Sequence, residues 1–501
     1  MAMRRDSRTV LSCTLVFIGS VAGAPGAPDA DTGAASRPAQ DGNRPNVLLI
    51  TADDLNYDSL GCTGSRVPDI TPNIDRLAAS GVRFVHAHVT VAVCQPSRSV
   101  LMTGRYPHRN GAQGFEPIRG DVPTLQESLR AAGYMNGIFA KVGHLAPQNK
   151  FCWDVVVDAA QLAAGRDPAL YYRHAKDFFE KARSSGKPFF LMANSQDPHR
   201  PFVGAEKGPA RRARDAGDAA VSGPGPKRVY TPDEIQVPGF LPDLPDVRTD
   251  VARYFTSVRR CDETVGQLLR ALKETGLEDN TIVMFLSDNG MSFPFAKTNC
   301  YLAGTRTPWL VRWPGKTRPG TVDREHMISG IDFMPTILEA CGLPPVAGMD
   351  GRSFLPLLRG EQQDGRDRVY TVFHETAGKK VYPMRSVLTR KYGYIFNAWS
   401  DGRTVFRNEA QNGLAFRGMT KAAESRPDVA ARVRLFLYRV PEELYDYEND
   451  PCALNNLAAD PKYKDELERL RGDMRKIMEA TGDPLLSAFK ERVAAARETR
   501  D

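Results

Sequence analysis

Several signatures are missing from this sequence, and each absence removes a class of function. After the first 25 residues no apolar run approaches the about 20 residues that a membrane helix needs. The eight cysteines form no CxxC pair and no small-domain disulfide ladder, so zinc-ribbon and thioredoxin readings lack support. There is no basic tail and no basic helix with interleaved aromatics, which leaves no case for nucleic acid. The densest basic spot, Arg211, Arg212 and Arg214, lies in a stretch rich in Gly, Ala, Arg and Pro (204–227) that reads as a solvated surface loop. The histidines are not grouped as a His-rich two-metal site would require, and no internal repeat is visible.

What is present is an ordinary globular composition, 42% apolar and 25% charged, with ample material for one large core or two unequal ones. The N-terminus reads as a signal peptide over residues 1–24. Arg4, Arg5 and Arg8 precede an apolar stretch from Val10 to Val21, and Ala22-Gly23-Ala24 offers small residues for cleavage. A linker at 25–44 follows, and the predicted location is secreted or periplasmic. Removing residues 1–24 lowers the formal charge from +7 to +5, a mild surplus that suits an anionic substrate. Seven cysteines would remain, an odd number, and their pairing is not legible.

Asn46 to Thr51 (NVLLIT), Phe189 to Ala193 (FFLMA) and Thr281 to Leu286 (TIVMFL) are short apolar runs that read as buried strands. Each leads into polar residues: Asp53 and Asp54, Asp197 and His199, Asp288 and Asn289. Helical stretches lie between them, including 123–132 and 252–275. Strands alternating with helices predict an α/β sheet covered on both faces, with the site beyond the strands' carboxyl ends. Beyond about residue 345, short strand-like pieces (369–373, 386–388, 392–397) and an amphipathic helix (461–480) predict a smaller subdomain. The expected division is a catalytic domain at 45–345 and a C-terminal α+β subdomain at 346–501.

The densest chemistry is Cys94-Gln-Pro-Ser-Arg98 followed by Leu-Met-Thr103-Gly104-Arg105. Pro96 suits a first helical turn and Gly104 a stop. Cys94 is therefore expected at a helix start with Arg98 one turn on, two features that favour negative charge at position 94. Asp53, Asp54, Asp288 and Asn289 offer four oxygen donors at two strand ends. Without histidine or thiolate, such a set selects Ca²⁺ or Mg²⁺ over zinc.

Cys-x-Pro-Ser-Arg with Leu-x-Thr-Gly-Arg resembles the motif of the sulfatase family, in which the cysteine becomes formylglycine (3-oxoalanine). The resemblance runs from Arg44 to about Asp460, through NVLLITADDLN (46–56), TRTPWLVRWPG (305–315), DFMPTIL (332–338) and ELYDYENDPCALNNL (443–457). It implies an alkaline-phosphatase-like α/β fold, a large mixed sheet flanked by helices. It also implies one Ca²⁺ on Asp53, Asp54, Asp288, Asn289 and the oxygen of residue 94, and maturation by a formylglycine-generating enzyme. In the catalytic scheme it suggests, Arg98 and the metal ease ionisation of a hydroxyl of hydrated residue 94 and Asp288 takes the proton. Lys141 and Lys297 balance the sulfate oxygens, His199 protonates the leaving atom and His144 removes the second proton.

Lys141 and His144 are separated by two residues where many members have Lys-x-His. His374 and Arg385, like Ser292 to Thr305, resemble substrate-facing segments of the heparan N-sulfatase branch, so His374, Arg385 and Lys297 are expected to contact a sulfated saccharide. His86, His88 and His326 read as structural, and His108 as a possible substrate contact. The alternatives are an O-sulfatase on another sulfated polysaccharide, a phosphomonoester or phosphonate hydrolase of the same fold, and an inactive glycan-binding protein. Intact Cys94, Arg98 and acidic pair count against the last.

Overall fold

The computed structural model describes residues 44–205 and 223–498. The signal peptide and linker predicted for residues 1–43 lie outside these, as do Arg211, Arg212 and Arg214. Among the described residues, twelve strands build two sheets. The larger contains β1 (Asn46–Asp53), β2 (Val82–His88), β3 (Met135–Phe139), β4 (Val155–Val157), β5 (Phe189–Pro198), β6 (Thr281–Ser287), β7 (Trp309–Arg312) and β8 (Thr321–Ser329). They lie in the order β4-β3-β5-β1-β6-β7-β2-β8. All neighbours pair parallel except at β7, which runs antiparallel to both β6 and β2. The predicted large mixed sheet is what forms.

Its centre explains the apolar runs. Every residue of β1 is buried. Leu48 and Ile50 face one core with Phe178, Phe179, Val251 and Val258, from the helices Pro168–Ser185 and Pro245–Glu274. Val47 and Leu49 face a second core with Leu101, Met102, Phe333 and Ile337. Side chains alternate across a strand, so a strand covered on both faces must be apolar throughout.

The smaller sheet is antiparallel, in the order β12-β11-β10-β9: β9 (Arg368–Glu375), β10 (Val381–Thr389), β11 (Tyr392–Asn397) and β12 (Glu442–Asp446). The helix Lys464–Thr481 packs on it through Leu467, Leu470 and Met474, in the same core as Leu48 and Ile50. Val372 on β9 donates its N–H to Thr90 O at 2.8 Å, which ties the small sheet to the segment entering Cys94. Among the described residues no helix is long and apolar enough to cross a membrane.

Candidate active site at the strand ends of the large sheet

β1 and β6 are parallel neighbours, so their carboxyl ends deliver Asp53, Asp54, Asp288 and Asn289 to one place, all fully buried. Asp54 N–H donates to Asp288 Oδ1 (3.2 Å), and Asn289 Nδ2 donates to Asp54 Oδ1 (2.7 Å). Asp53 Oδ1, Asp54 Oδ2 and Asn289 Oδ1 are buried and accept no hydrogen bond. Buried oxygens are normally satisfied, so three orphans in one cluster of carboxylates and a carboxamide fit a hard cation such as calcium. Ligand atoms of Asp53, Asp54 and His199 lie within 4.8 Å of one another. Asp288 is more committed, since both of its oxygens already accept hydrogen bonds.

The chain strains to build this cluster. Asp54 (φ 67°), Ala140 (53°), Lys141 (54°), Phe295 (68°) and Thr298 (66°) all sit in the left-handed region. Each such non-glycine residue costs roughly 1–2 kcal/mol, and here they flank the groups of interest.

Cys94 opens the helix Cys94–Thr103, with Val93 extended before it and Gly104 in the left-handed conformation (φ 61°) after it. The predicted loop-to-helix transition is present. Negative charge on the thiol is not: burial pushes Cys94 up to about 12, with Lys297 opposing. Arg98 donates to Asp288 Oδ2 (2.6 Å), Thr51 Oγ1 (2.7 Å) and Asn194 Oδ1, while its buried Nε has no partner. It thus locks Asp288 and β5 beneath residue 94. Asn194 and Thr51 were missed in the sequence, although both are polar residues closing apolar runs.

Burial alone would raise the Asp53 carboxyl, but Lys141, then His199, Lys297 and Arg98, hold it well below the ordinary range. Burial wins at Asp54, which is raised despite Lys297, and at Asp288, raised to about 7 by burial and then by Asp53. Lys141 pairs with Asp53. The residues after it form a 3₁₀ turn, Val142–His144, with His144 N–H on Lys141 O at 3.0 Å. The extra residue between Lys141 and His144 still leaves His144 close enough to Lys141, Arg98 and Asp53 to feel their charges. Burial, then Lys141 and Arg98, drives His144 well below its ordinary value, and its Nδ1 has no partner.

His199 Nδ1 meets Arg200 O at 2.5 Å, which leaves Nε2 facing Asp54 Oδ2 at 3.8 Å. Arg200 is fixed in turn by a two-point pair with Asp250 and by the rings of Phe202 and Phe293. Lys297, 2% exposed, pairs with Asp54 Oδ1 (2.8 Å) and with Glu409 Oε1 (2.5 Å). Glu409 was not anticipated; it lies more than a hundred residues away in an unremarkable turn.

Three residues near the strand ends and the C-terminal sheet are taken up by the fold. Arg385 is 1% exposed and grips Asp483 through Nε (2.6 Å) and Nη2 (3.1 Å), while Nη1 donates to Met384 O (2.9 Å). Four of its five N–H donors serve the fold, and the side chain is buried. Asp197 is clamped between Arg166 and Arg260, holding the end of β5 to the helix Pro245–Glu274. His108 meets Thr481 O through Nε2 (3.2 Å) and sits beside Asp483.

His374, by contrast, is partly exposed at the end of β9 with Nδ1 unpartnered. It lies in the field of Glu375 and Glu116, whose carbonyl accepts from Gln95, the neighbour of Cys94, at 3.0 Å. His326 pairs with Asp323 (2.8 Å) and His88 meets Thr305 (3.3 Å), away from this cluster. The seven cysteines among the described residues are free thiols.

Comparison with known proteins adds a second line of evidence. Residues 45–343 match the family model described as Sulfatase, and 292–404 match one described as N-sulphoglucosamine sulphohydrolase, C-terminal. The human N-sulphoglucosamine sulphohydrolase is 30% identical over 475 residues, covering 88% of this chain and 91% of that protein. An ulvan-active sulfatase of Formosa agariphila is 29% identical, covering 88% and 81%. A solved structure of a protein in complex with its substrate D-glucosamine-2-N,6-O-disulfate superposes with a TM-score of 0.66. At 19% identity over 88% of this chain and 99% of that one, this likeness concerns the fold.

Proposed function

Because the chain belongs to the sulfatase family, we propose that it removes sulfate from a sulfated saccharide, with N-sulfoglucosamine as the substrate unit and formylglycine at position 94 as the nucleophile. The observation that carries this reading is the placement of Cys94 at a buried helix start. Asp53, Lys141, Asp288 and Lys297 lie close enough to act on its charge, and three unpartnered oxygens stand in the same cluster.

Asp53, Asp54, Asp288 and Asn289 would hold one Ca²⁺, which when bound supplies positive charge to a sulfate oxygen and to residue 94. Formylglycine, as its hydrate, supplies two hydroxyls on one carbon. The remaining chemistry belongs to the chain. Arg98 fixes Asp288, which is the carboxylate proposed to take the proton of residue 94. Lys141 and Lys297 present ammonium groups to sulfate oxygens. His199, with Nδ1 on Arg200 O, directs Nε2 toward the leaving atom as proton donor. His144, kept neutral by burial and its cationic neighbours, is suited to take a proton. His374 at the rim would contact the sugar. Export through residues 1–24 and maturation by a formylglycine-generating enzyme belong to the same proposal.

Mass analysis of the peptide containing residue 94, from protein co-produced with a formylglycine-generating enzyme, is expected to show the aldehyde. Cys94→Ala should fold and release no sulfate from an aryl sulfate. Full turnover by Cys94→Ala, with background enzymes excluded, would refute the assignment.

A further inference from the structure

The sulfate-binding ammonium assigned above already has an anion on it. Lys297 Nζ lies 2.5 Å from Glu409 Oε1 and 2.8 Å from Asp54 Oδ1. The two carboxylates differ in freedom. Asp54 is fully buried and held by Asn289, whereas the Glu409 side chain is 33% exposed. Burial would raise Glu409, but Lys297, then His199, hold its carboxyl down to about 2, so it is anionic at any working pH.

Glu409 is presented by a built turn. It opens the 3₁₀ segment Glu409–Asn412 and accepts from Ser292 Oγ at 3.2 Å. Its neighbour Asn408 donates to Thr298 Oγ1 at 2.6 Å, beside Lys297. Downstream, Ala415 N–H binds Asp250 Oδ2 (3.0 Å), the carboxylate that also anchors Arg200 next to His199. The turn is therefore registered on both residues meant to handle the sulfate and the leaving atom.

Charge decides what such a group does. Arg98, Lys141 and Lys297 face Asp53, Asp54, Asp288 and Glu409. With these groups ionised and the histidines left out of the count, one bound divalent cation leaves a formal charge of +1, against +2 without Glu409. A pocket at +2 with a free ammonium would retain inorganic sulfate, the reaction's own product.

We propose that Glu409 is a built-in competitor for Lys297: it occupies the ammonium, yields it to an incoming sulfate group, and reclaims it as sulfate leaves. The proposal rests on the sulfatase reading for its purpose, though its physical content is an anion competing for a cation. Asp54 cannot play this part, because it is fixed in the buried cluster.

The test is calorimetric titration of inorganic sulfate into the calcium-loaded protein. Glu409→Gln should bind sulfate about tenfold more tightly than the wild type, the scale of one charge removed beside an anion in a partly exposed pocket. Glu409→Asp, whose carboxylate falls short of Lys297, should tighten binding in the same direction and guards against a misfolded first variant. In a Lys297→Met background the Glu409→Gln effect should vanish, as coupling through the lysine requires. Unchanged or weaker sulfate binding in both Glu409 variants, binding too weak to measure in all of them, or an undiminished effect without Lys297 would overturn the proposal. The sulfatase reading fails separately, if mature wild-type protein releases no sulfate from any ester or sulfamate while the Glu409 variants still tighten sulfate binding.

Discussion

His199 shows how a neighbour's backbone can assign a role. With Nδ1 donating to Arg200 O, Nε2 is the ring nitrogen free to exchange a proton in the cluster. General acid catalysis is worth about 10²–10⁴-fold, and mainly for leaving groups that need the proton. His199→Ala should therefore slow a sugar sulfate or sulfamate far more than an activated aryl sulfate, compared through kcat/KM. Equal losses on both would make His199 a positioning residue. At this scale the sequence was most informative where a side chain's chemistry is declared by its immediate neighbours. Cys94, Arg98, Asp53, Asp54, Asp288 and Asn289 sit in continuous motifs, and the fold brings them together. It was least informative where the partner is remote. Nothing near Arg385 reveals that Asp483, 98 positions on, consumes its guanidinium, and nothing near Glu409 points to Lys297.

The segment that leaves β6, Asp288-Asn289-Gly290, shows what an element contributes beyond its side chains. A Cβ on Gly290 would stand 1.9 Å from Ala303 O and 3.0 Å from Asn56 Oδ1. Gly290 N–H also binds Gly304 O at 2.9 Å, so the loop carrying Lys297 is stitched to the strand end. Gly290→Ala must push one backbone off the other. Overpacking of this kind costs about 1–3 kcal/mol, and here the displaced atoms include two proposed calcium ligands. The expected outcome is a lower denaturant midpoint together with weaker calcium binding by calorimetry. Unaltered calcium affinity would show that the ligands do not depend on this close approach. Elements were legible where burial on both faces forces a continuous apolar run, as in β1, β5 and β6. β2 breaks its buried positions with Arg83 and His86, β8 is buried only over its last four residues, and β4 is three residues long, so no such run marked them.

Across the whole molecule, the site is assembled from both sheets' territories. The large sheet gathers the acidic cluster, and the C-terminal part supplies Glu409 to Lys297 and His374 to the rim, with one apolar core running beneath both. The centre collects cations, carboxylates and a buried residue 94, and on the proposed function the carboxylates of Glu116 and Glu375 beside His374 would offer acceptors to a sugar. The two family models, overlapping at 292–343, meet in the segment that carries Lys297. The decisive measurement is product analysis on D-glucosamine-2-N,6-O-disulfate with calcium-loaded protein whose residue 94 is verified as the aldehyde. The account predicts loss of the N-sulfate with the 6-O-sulfate retained, and no reaction with Cys94→Ala. Release of the 6-O-sulfate alone would contradict the substrate assignment, and release of neither, with phosphate esters cleaved instead, would contradict the account as a whole.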